Sequence, residues 1–131
     1  MVKIVTVTLR DQKISPRKAR LSMNLIKNLP VTKAFAQLKF LNKKHAELTL
    51  ILLRNGIDAA EKKDCKKDDL YISEAICNEG KKLKRIFIRA RGRSTGYVKR
   101  MSHLKISLSK LENKNMEESP KLKGINHGSK S

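Results

Sequence analysis

Residues 80–100 read Gly-Lys-Lys-Leu-Lys-Arg-Ile-Phe-Ile-Arg-Ala-Arg-Gly-Arg-Ser-Thr-Gly-Tyr-Val-Lys-Arg. Lys81, Lys82, Lys84, Arg85, Arg89, Arg91, Arg93, Lys99 and Arg100 stand there with no acid among them. The apolar content, Leu83, Ile86, Phe87 and Ile88, is too thin to build a core layer. On either side the chain alternates with the period of a strand: Leu70, Ile72 and Ile76 before Gly80, then Leu104, Ile106 and Leu108 with Lys105 and Ser107 between them. A structureless loop of about 20 residues between two such strands is uncommon in a compact domain and is usually functional or disordered. If the strands instead run on as a hairpin, each arm of about 10 residues reaches roughly 30 Å at about 3.3 Å per residue. The midpoint then falls at Ala90 to Arg93, where Gly92 supplies a turn conformation closed to other residues. A two-stranded ribbon is marginal by itself in water, and contacts to phosphate would hold it in shape. Four of the last five basic groups in the run are Arg, whose planar fork grips phosphate in two places.

The rest of the chain puts this block in relief. The 131 residues carry 31 Lys and Arg against 12 acids, a formal net charge of +19. Residues 1–46 hold 11 basic groups and one acid, Asp11, while residues 47–79 hold 5 basic and 8 acidic groups. Residues 80–109 hold 10 basic groups and no acid, and residues 110–131 hold 5 and 3. Self-repulsion on this scale opposes compaction unless anions are supplied from outside. Nucleic-acid phosphates and anionic membrane surfaces are the usual suppliers. No apolar run of about 18 residues is present to span a bilayer, and Val2 opens an alternating pattern rather than a signal peptide. Cys65 and Cys77 suit a reducing compartment as free thiols, since a metal site needs more ligands at close spacing. A cytosolic protein of one domain follows, with a small core of Leu, Ile, Val and Ala.

Upstream of the basic run the elements are legible. Val2, Ile4, Val5, Val7 and Leu9 predict a first strand. Ser15-Pro16 predicts a helix start, Ser accepting early backbone N–H groups and Pro fitting the first position. Leu21, Leu25, Ile26 and Leu29 supply the apolar spacing, and Pro30 stops the helix. Thr32 is expected to cap a short second helix with Ala34, Phe35 and Leu38 inward. Asn42 is expected to cap a third, with Ala46, Leu50, Leu53, Ile57 and Ala60 on its apolar face. Gly56 within it costs about 1 kcal/mol relative to Ala, so packing must hold that turn. The first helix and its flanks form the second positive block: Arg17, Lys18, Arg20 and Lys27, followed by Lys43 and Lys44.

Five motifs stand in order: Ile14-Ser15-Pro16-Arg17-Lys18-Ala19-Arg20-Leu21, Asn42-Lys43-Lys44-His45-Ala46, Asn78-Glu79-Gly80, Lys84-Arg85 through Arg89-Ala90-Arg91-Gly92-Arg93, and Ser102-His103-Leu104. Together they resemble the ribosomal protein L twenty-two family of the bacterial large subunit, from about residue 5 to residue 109. The resemblance implies an α+β fold: a three-stranded antiparallel sheet packed on three helices, with a long projecting β-hairpin. Residues 1–110 would be a single domain, the hairpin running over about residues 80–101. The stretch 111–131 is expected to be a disordered tail. The implied role is structural: large-subunit rRNA binding, support of subunit assembly, and a hairpin that lines the nascent-peptide exit tunnel. Carried over by position, Ser15, Pro16, Arg17, Lys18 and Arg20 would grip rRNA from the globular side. Lys43, Lys44, Lys81, Lys82, Lys84, Arg85, Lys99, Arg100 and His103 would add to the contact. Arg89, Ala90, Arg91, Gly92 and Arg93 would form the tunnel tip. The implied partners are 23S-type rRNA, neighbouring large-subunit proteins and the nascent peptide in transit. No cofactor, metal, membrane or homo-oligomer is expected, and the location is the cytoplasmic ribosome or its organellar counterpart. The family commonly has Pro where this chain has Lys81 and Ile88, and Asn-Ala where it has Ala59-Ala60.

Two other classes compete. A helix-turn-helix DNA binder would need base-reading side chains on its third helix, and few are present there. An RNA-modifying enzyme would need its histidines in a relay or ligand set, yet His45, His103 and His127 have no His, Cys or carboxylate at such spacing. Glu47, Asp58 and Glu61 share helical spacing but on a basic domain suit salt bridges better than catalysis.

Overall fold

The structure, a computed structural model, describes residues 2–111. The expected tail from residue 112 onward, with His127, lies outside the described residues. In chain order the elements are strand β1 (Lys3–Gln12), helices α1 (Pro16–Ile26), α2 (Val31–Phe40) and α3 (Lys44–Glu61), strand β2 (Leu70–Ile88) and strand β3 (Ser94–Lys110). The strands form one antiparallel sheet in the order β1-β3-β2, with β3 in the middle. This is the α+β arrangement of three helices and a three-stranded sheet that the resemblance implied.

Directly opposed residues of an antiparallel ladder share a face, and the row Val5, Leu108, Ile72 crosses all three strands. All three side chains are buried, as are Leu104 and Ile106 on the same face of β3. The helices close this face with Met23 and Ile26 of α1, Val31, Ala34 and Leu38 of α2, and Leu52, Leu53 and Ile57 of α3. Gly56 shows why its helix tolerates a glycine: a Cβ there would lie 3.1 Å from Leu108 Cδ1. Its absence lets α3 settle onto the sheet, and burial of the surrounding side chains, worth about 1.5–3 kcal/mol each, offsets the propensity cost.

The helices depart from expectation in instructive ways. Helix α1 has Pro16 at its first position as predicted, but the Ser15 side chain makes no capping bond. The Ser15 carbonyl instead accepts the N–H groups of Lys18 and Ala19, both at 3.1 Å. The expected apolar stripe is also displaced. Ala19, Ser22, Met23 and Ile26 face the core, while Leu21 is 65% and Leu25 43% exposed. Ser22 made the true stripe hard to see, because its hydroxyl is satisfied inside the protein. It donates to the Ala19 carbonyl at 2.9 Å and meets Thr49 Oγ1 of α3 at 3.0 Å. Pro30 and Lys43, not Thr32 and Asn42, occupy the cap positions of α2 and α3, and neither caps through a side chain. Ala34, Leu38, Ala46, Leu53, Ile57 and Ala60 are buried as expected, whereas Phe35 and Leu50 are half-buried.

Strand β2 does not keep a single alternation. Ile72 pairs with Leu108 and Glu74 with Ser107, so Ser73 is an extra residue, a bulge. One extra residue moves everything after it to the opposite face. Ala75 and Cys77 therefore turn into the core, and Ile76, expected there, is half-exposed. The outer edge of β2 is closed by the α1–α2 connection: Asn28 N–H donates to the Ile72 carbonyl and Ile72 N–H to the Leu29 carbonyl, at 3.0 and 2.9 Å. Such cover removes an edge otherwise open to pairing with another chain. A second bulge falls between Glu79 and Lys82. Beyond it the β2–β3 ladder continues without a break from Lys82↔Arg100 to Ile88↔Ser94. The acid-free run is thus a hairpin and not a loop, and every residue from 84 to 100 is exposed.

Candidate nucleic-acid interface

Alternation along β3 sorts its side chains. Leu108, Ile106, Leu104 and Ser102 go to the helices, so Lys105, His103, Met101, Lys99 and Tyr97 go to the opposite face. That open face carries a groove of about 520 Å³ lined by Thr8, Arg10, Asp11, Asn78, Lys81, His103 and Lys105. His103 Nδ1 accepts the N–H of Asp11 at 3.0 Å, which fixes the ring. Lys81 and His103, expected to bind RNA, are brought together here although 22 positions apart in sequence. Arg10 and Lys105 join them and were missed. Arg10 stands between Leu9 and Asp11, Lys105 alternates with apolar neighbours as any surface strand cation does, and only the register Thr8↔Lys105 places Lys105 on this face beside β1.

A second groove at the ribbon root is lined by Lys13, Leu83, Arg85, Lys99, Arg100 and Met101. Lys13 was also missed, because it lies in the β1–α1 connection, where sequence pattern says nothing about direction. Lys82 is 3.4 Å from Glu79, an exposed pair of the kind that contributes little. Lys84, Arg85, Arg89, Arg91, Arg93, Lys99 and Arg100 have no carboxylate within ion-pair distance among the described residues. Their charge is left for an outside partner.

The tip is a tight turn. Arg89 N–H donates to the Arg93 carbonyl at 2.7 Å, and Arg93 N–H to the Ala90 carbonyl at 3.4 Å. Gly92 has φ +68°, as the sequence required, and Arg91 beside it also has positive φ, 60° with ψ 37°. A non-glycine residue in that region is uncommon and stores local strain. Arg89, Ala90, Arg91, Gly92 and Arg93 are all exposed.

On the helical side, Arg17, Lys18 and Arg20 project from α1, with Lys43 and Lys44 at the start of α3. His45 shows that these two groups share one surface. Its pKa is lowered first by burial, then by the charges of Lys43 and Lys18. Arg20 is anchored as well as exposed: its Nε donates to the Cys77 carbonyl at 3.4 Å. Pro16 is buried beneath it, its carbonyl accepting from Cys77 Sγ at 3.7 Å. Burial pushes the Cys77 thiol up, against the nearby charge of Arg20. Ser15 and Pro16 therefore set the direction of α1, while Arg17, Lys18 and Arg20 supply its charge.

No group of three or more metal-ligating side chains occurs among the described residues, and Cys65 and Cys77 are unpaired thiols. The exposed residues of α3 mix Arg54 with Glu47, Asp58 and Glu61, a surface ill suited to a DNA groove. No helix among the described residues is long and apolar enough to cross a membrane.

A three-helix, three-stranded α+β body with a basic ribbon is the form of a ribosomal protein with an extended arm, and similarity to known proteins agrees. The family profile described as "Ribosomal protein L22p/L17e" matches residues 7–109. The "Large ribosomal subunit protein uL22" of Caldicellulosiruptor saccharolyticus is 44% identical over 112 residues, covering 85% of this chain and 92% of its own length. That of Phytoplasma mali is 40% identical over 119 residues, 89% and 91% of the two chains. That of Metamycoplasma hominis is 38% identical over 107 residues, 81% and 83% of the two. The chain belongs to the L22p/L17e family of ribosomal proteins, a family of structural proteins and not of enzymes.

Proposed function

We propose that this protein is a structural constituent of the large ribosomal subunit that binds large-subunit rRNA and lines the nascent-peptide exit tunnel with its hairpin. The observation that carries the proposal is the ribbon: two strands paired without a break from Lys82↔Arg100 to Ile88↔Ser94, about 23 Å long at about 3.3 Å per residue, wholly exposed from residue 84 to 100 and free of acids. Water alone gives such a ribbon no reason to hold its shape, whereas a bed of phosphates does. Residues 1–110 act as one domain with two RNA-facing regions. Arg17, Lys18, Arg20, Lys43 and Lys44 hold the globular body, with Ser15 and Pro16 setting the helix start. Lys81, Lys82, Lys84, Arg85, Lys99, Arg100 and His103 hold the ribbon. Arg89, Arg91 and Arg93 fix a small tip, turned by Gly92 beside Ala90, at the place a growing peptide must pass. Neighbouring large-subunit proteins complete the setting.

Binding to purified large-subunit rRNA, measured as log affinity against log salt, tests this reading. Each neutralised phosphate contributes a slope of about −0.9 on duplex and about −0.7 on single strands, so a steep negative slope is expected. The protein should also pellet with large subunits and stay bound through a high-salt wash. A nearly flat salt dependence would show that phosphates are not its main partner.

A further inference from the structure

The two faces of the ribbon differ in chemistry. Lys84↔Val98, Ile86↔Gly96 and Ile88↔Ser94 lie on one face; Leu83↔Lys99, Arg85↔Tyr97 and Phe87↔Thr95 lie on the other. The first face carries its cations, Lys82, Lys84 and Arg100, at the root and none between Lys84 and the tip. The second carries Arg85 and Lys99, and the Arg89 guanidinium lies over the Phe87 ring, 5.2 Å from its centroid. Phe87 and Tyr97 are diagonal neighbours on this second face, within reach of one another. They are 56% and 43% exposed, although the chain has only three Phe and two Tyr. Phe40 is exposed as well, on α2, but Phe87 and Tyr97 are the two exposed rings that stand together on the ribbon among cations, while the core is built from aliphatic side chains.

We propose that Phe87 and Tyr97 form a stacking platform for unpaired RNA bases, with Arg85, Arg89 and Lys99 holding the flanking phosphates. On the opposite face Lys82, Lys84 and Arg100 reach the RNA from the ribbon's root, and only the apolar patch nearer the tip, Ile86 and Ile88, turns away from it. The assignment rests on the RNA-binding role proposed above and specifies which side of the ribbon meets the RNA, and by what chemistry. A ring stacks on any base because every base has a π face, and cations beside it track the backbone. The guanidinium of Arg89 is itself planar and stacks on aromatic faces, so a base laid over it extends the same pile. An aromatic pair without cations would suit a protein groove equally well. Three cations on the same face, with no acid in residues 80–109, favour a polyanion.

The test uses the full chain and large-subunit rRNA. Phe87→Leu combined with Tyr97→Leu keeps apolar side chains but removes both rings. Affinity should fall at least fivefold, since one stacked base is worth about that or more, and the salt slope should not change. Arg85→Gln with Lys99→Gln should instead make the slope shallower by roughly 1.5. Ile86→Ser with Ile88→Ser should leave both affinity and slope as they were. The ring-preserving exchange, Phe87→Tyr with Tyr97→Phe, should bind like the parent, which separates stacking from a damaged ribbon. The proposal is overturned if the leucine variant binds as tightly as the parent, if the Ile variant loses as much, or if the ring-preserving exchange also fails. A leucine variant that binds free RNA normally yet leaves assembled subunits would assign this face to a protein and overturn it too. Failure of the underlying role looks different: the parent itself would show no salt-dependent binding.

Discussion

Removing the distal ribbon should cost the globular fold almost nothing. Lys84–Val98 can be excised and Leu83 joined to Lys99 through Asn-Gly, because those two residues are ladder partners and Asn-Gly suits a two-residue hairpin turn. Every residue removed is exposed, and the whole buried set from Val5 to Leu108 remains, so no cavity forms. A two-stranded ribbon is near marginal stability by itself. The excision also deletes Lys84, Arg85, Arg89, Arg91 and Arg93 with no acid, taking the formal charge from +19 to +14 and easing self-repulsion. These effects are small and partly opposed, so the unfolding free energy should change by no more than about 1 kcal/mol. Ile106→Ala, at a core position 1% exposed, sets the scale at about 2–5 kcal/mol. Urea denaturation followed by far-ultraviolet circular dichroism measures both, and the excised protein should keep one cooperative transition with a somewhat smaller m value. A loss above about 2 kcal/mol, or a transition that is no longer cooperative, would place the ribbon inside the folding unit and refute the division.

Three further outcomes follow from the same geometry. Gly92 has φ +68°, and a Cβ added there would meet nothing within 4 Å, so Gly92→Val brings no clash but adds about 1–3 kcal/mol of local backbone strain; incorporation into subunits should be nearly unchanged while peptide-dependent stalling in a translation assay shifts, and an unaltered stalling pattern would make the tip a mere anchor. Burial, with the charges of Lys43 and Lys18, lowers the His45 pKa in the folded protein, so the unfolded chain takes up its proton first as pH falls; stability is full above the ordinary value of 6.5 and declines from there toward the lowered folded value, and subtracting a His45→Gln variant's urea midpoints at each pH should isolate that decline. Thr49→Val keeps the volume but removes a hydroxyl that meets Ser22 and donates to the His45 carbonyl at 2.8 Å; a melting experiment should read about 1–2 kcal/mol of destabilisation, and no loss would mean the α1–α3 contact holds by shape alone.

The sequence alone was enough for the order and kind of the elements and for the uneven division of charge, because these follow from local periodicity and composition. The acid-free run at 80–109, the strand alternation around it and the five ordered motifs point to the family without any knowledge of the fold. Legibility failed where a residue's role depends on a partner distant in the chain. The Ser73 bulge turned Ala75 and Cys77 inward and Ile76 outward, and nothing in the local pattern marks where a ladder takes an extra residue. Helix α1 buries Ser22 in preference to Leu21: its hydroxyl donates to the Ala19 carbonyl and meets Thr49, 27 positions away, inside the core.

The candidate interface divides along the same line. That Arg17, Lys18, Lys43, Lys81 and the ribbon cations are available to an anion is a matter of composition, since too few acids lie nearby in sequence to occupy them. That Lys18 and Lys43 press on one imidazole, that Arg10 and Lys105 stand beside Lys81 and His103, and that Phe87 and Tyr97 share a face with Arg85 and Lys99 was decided only by tertiary structure. Charge is carried by each residue wherever it goes, but a surface is made by strand register and helix docking. Both are set by which apolar side chains the core accepts, so the chain's charge could be read residue by residue while the shape of the surface it makes could not.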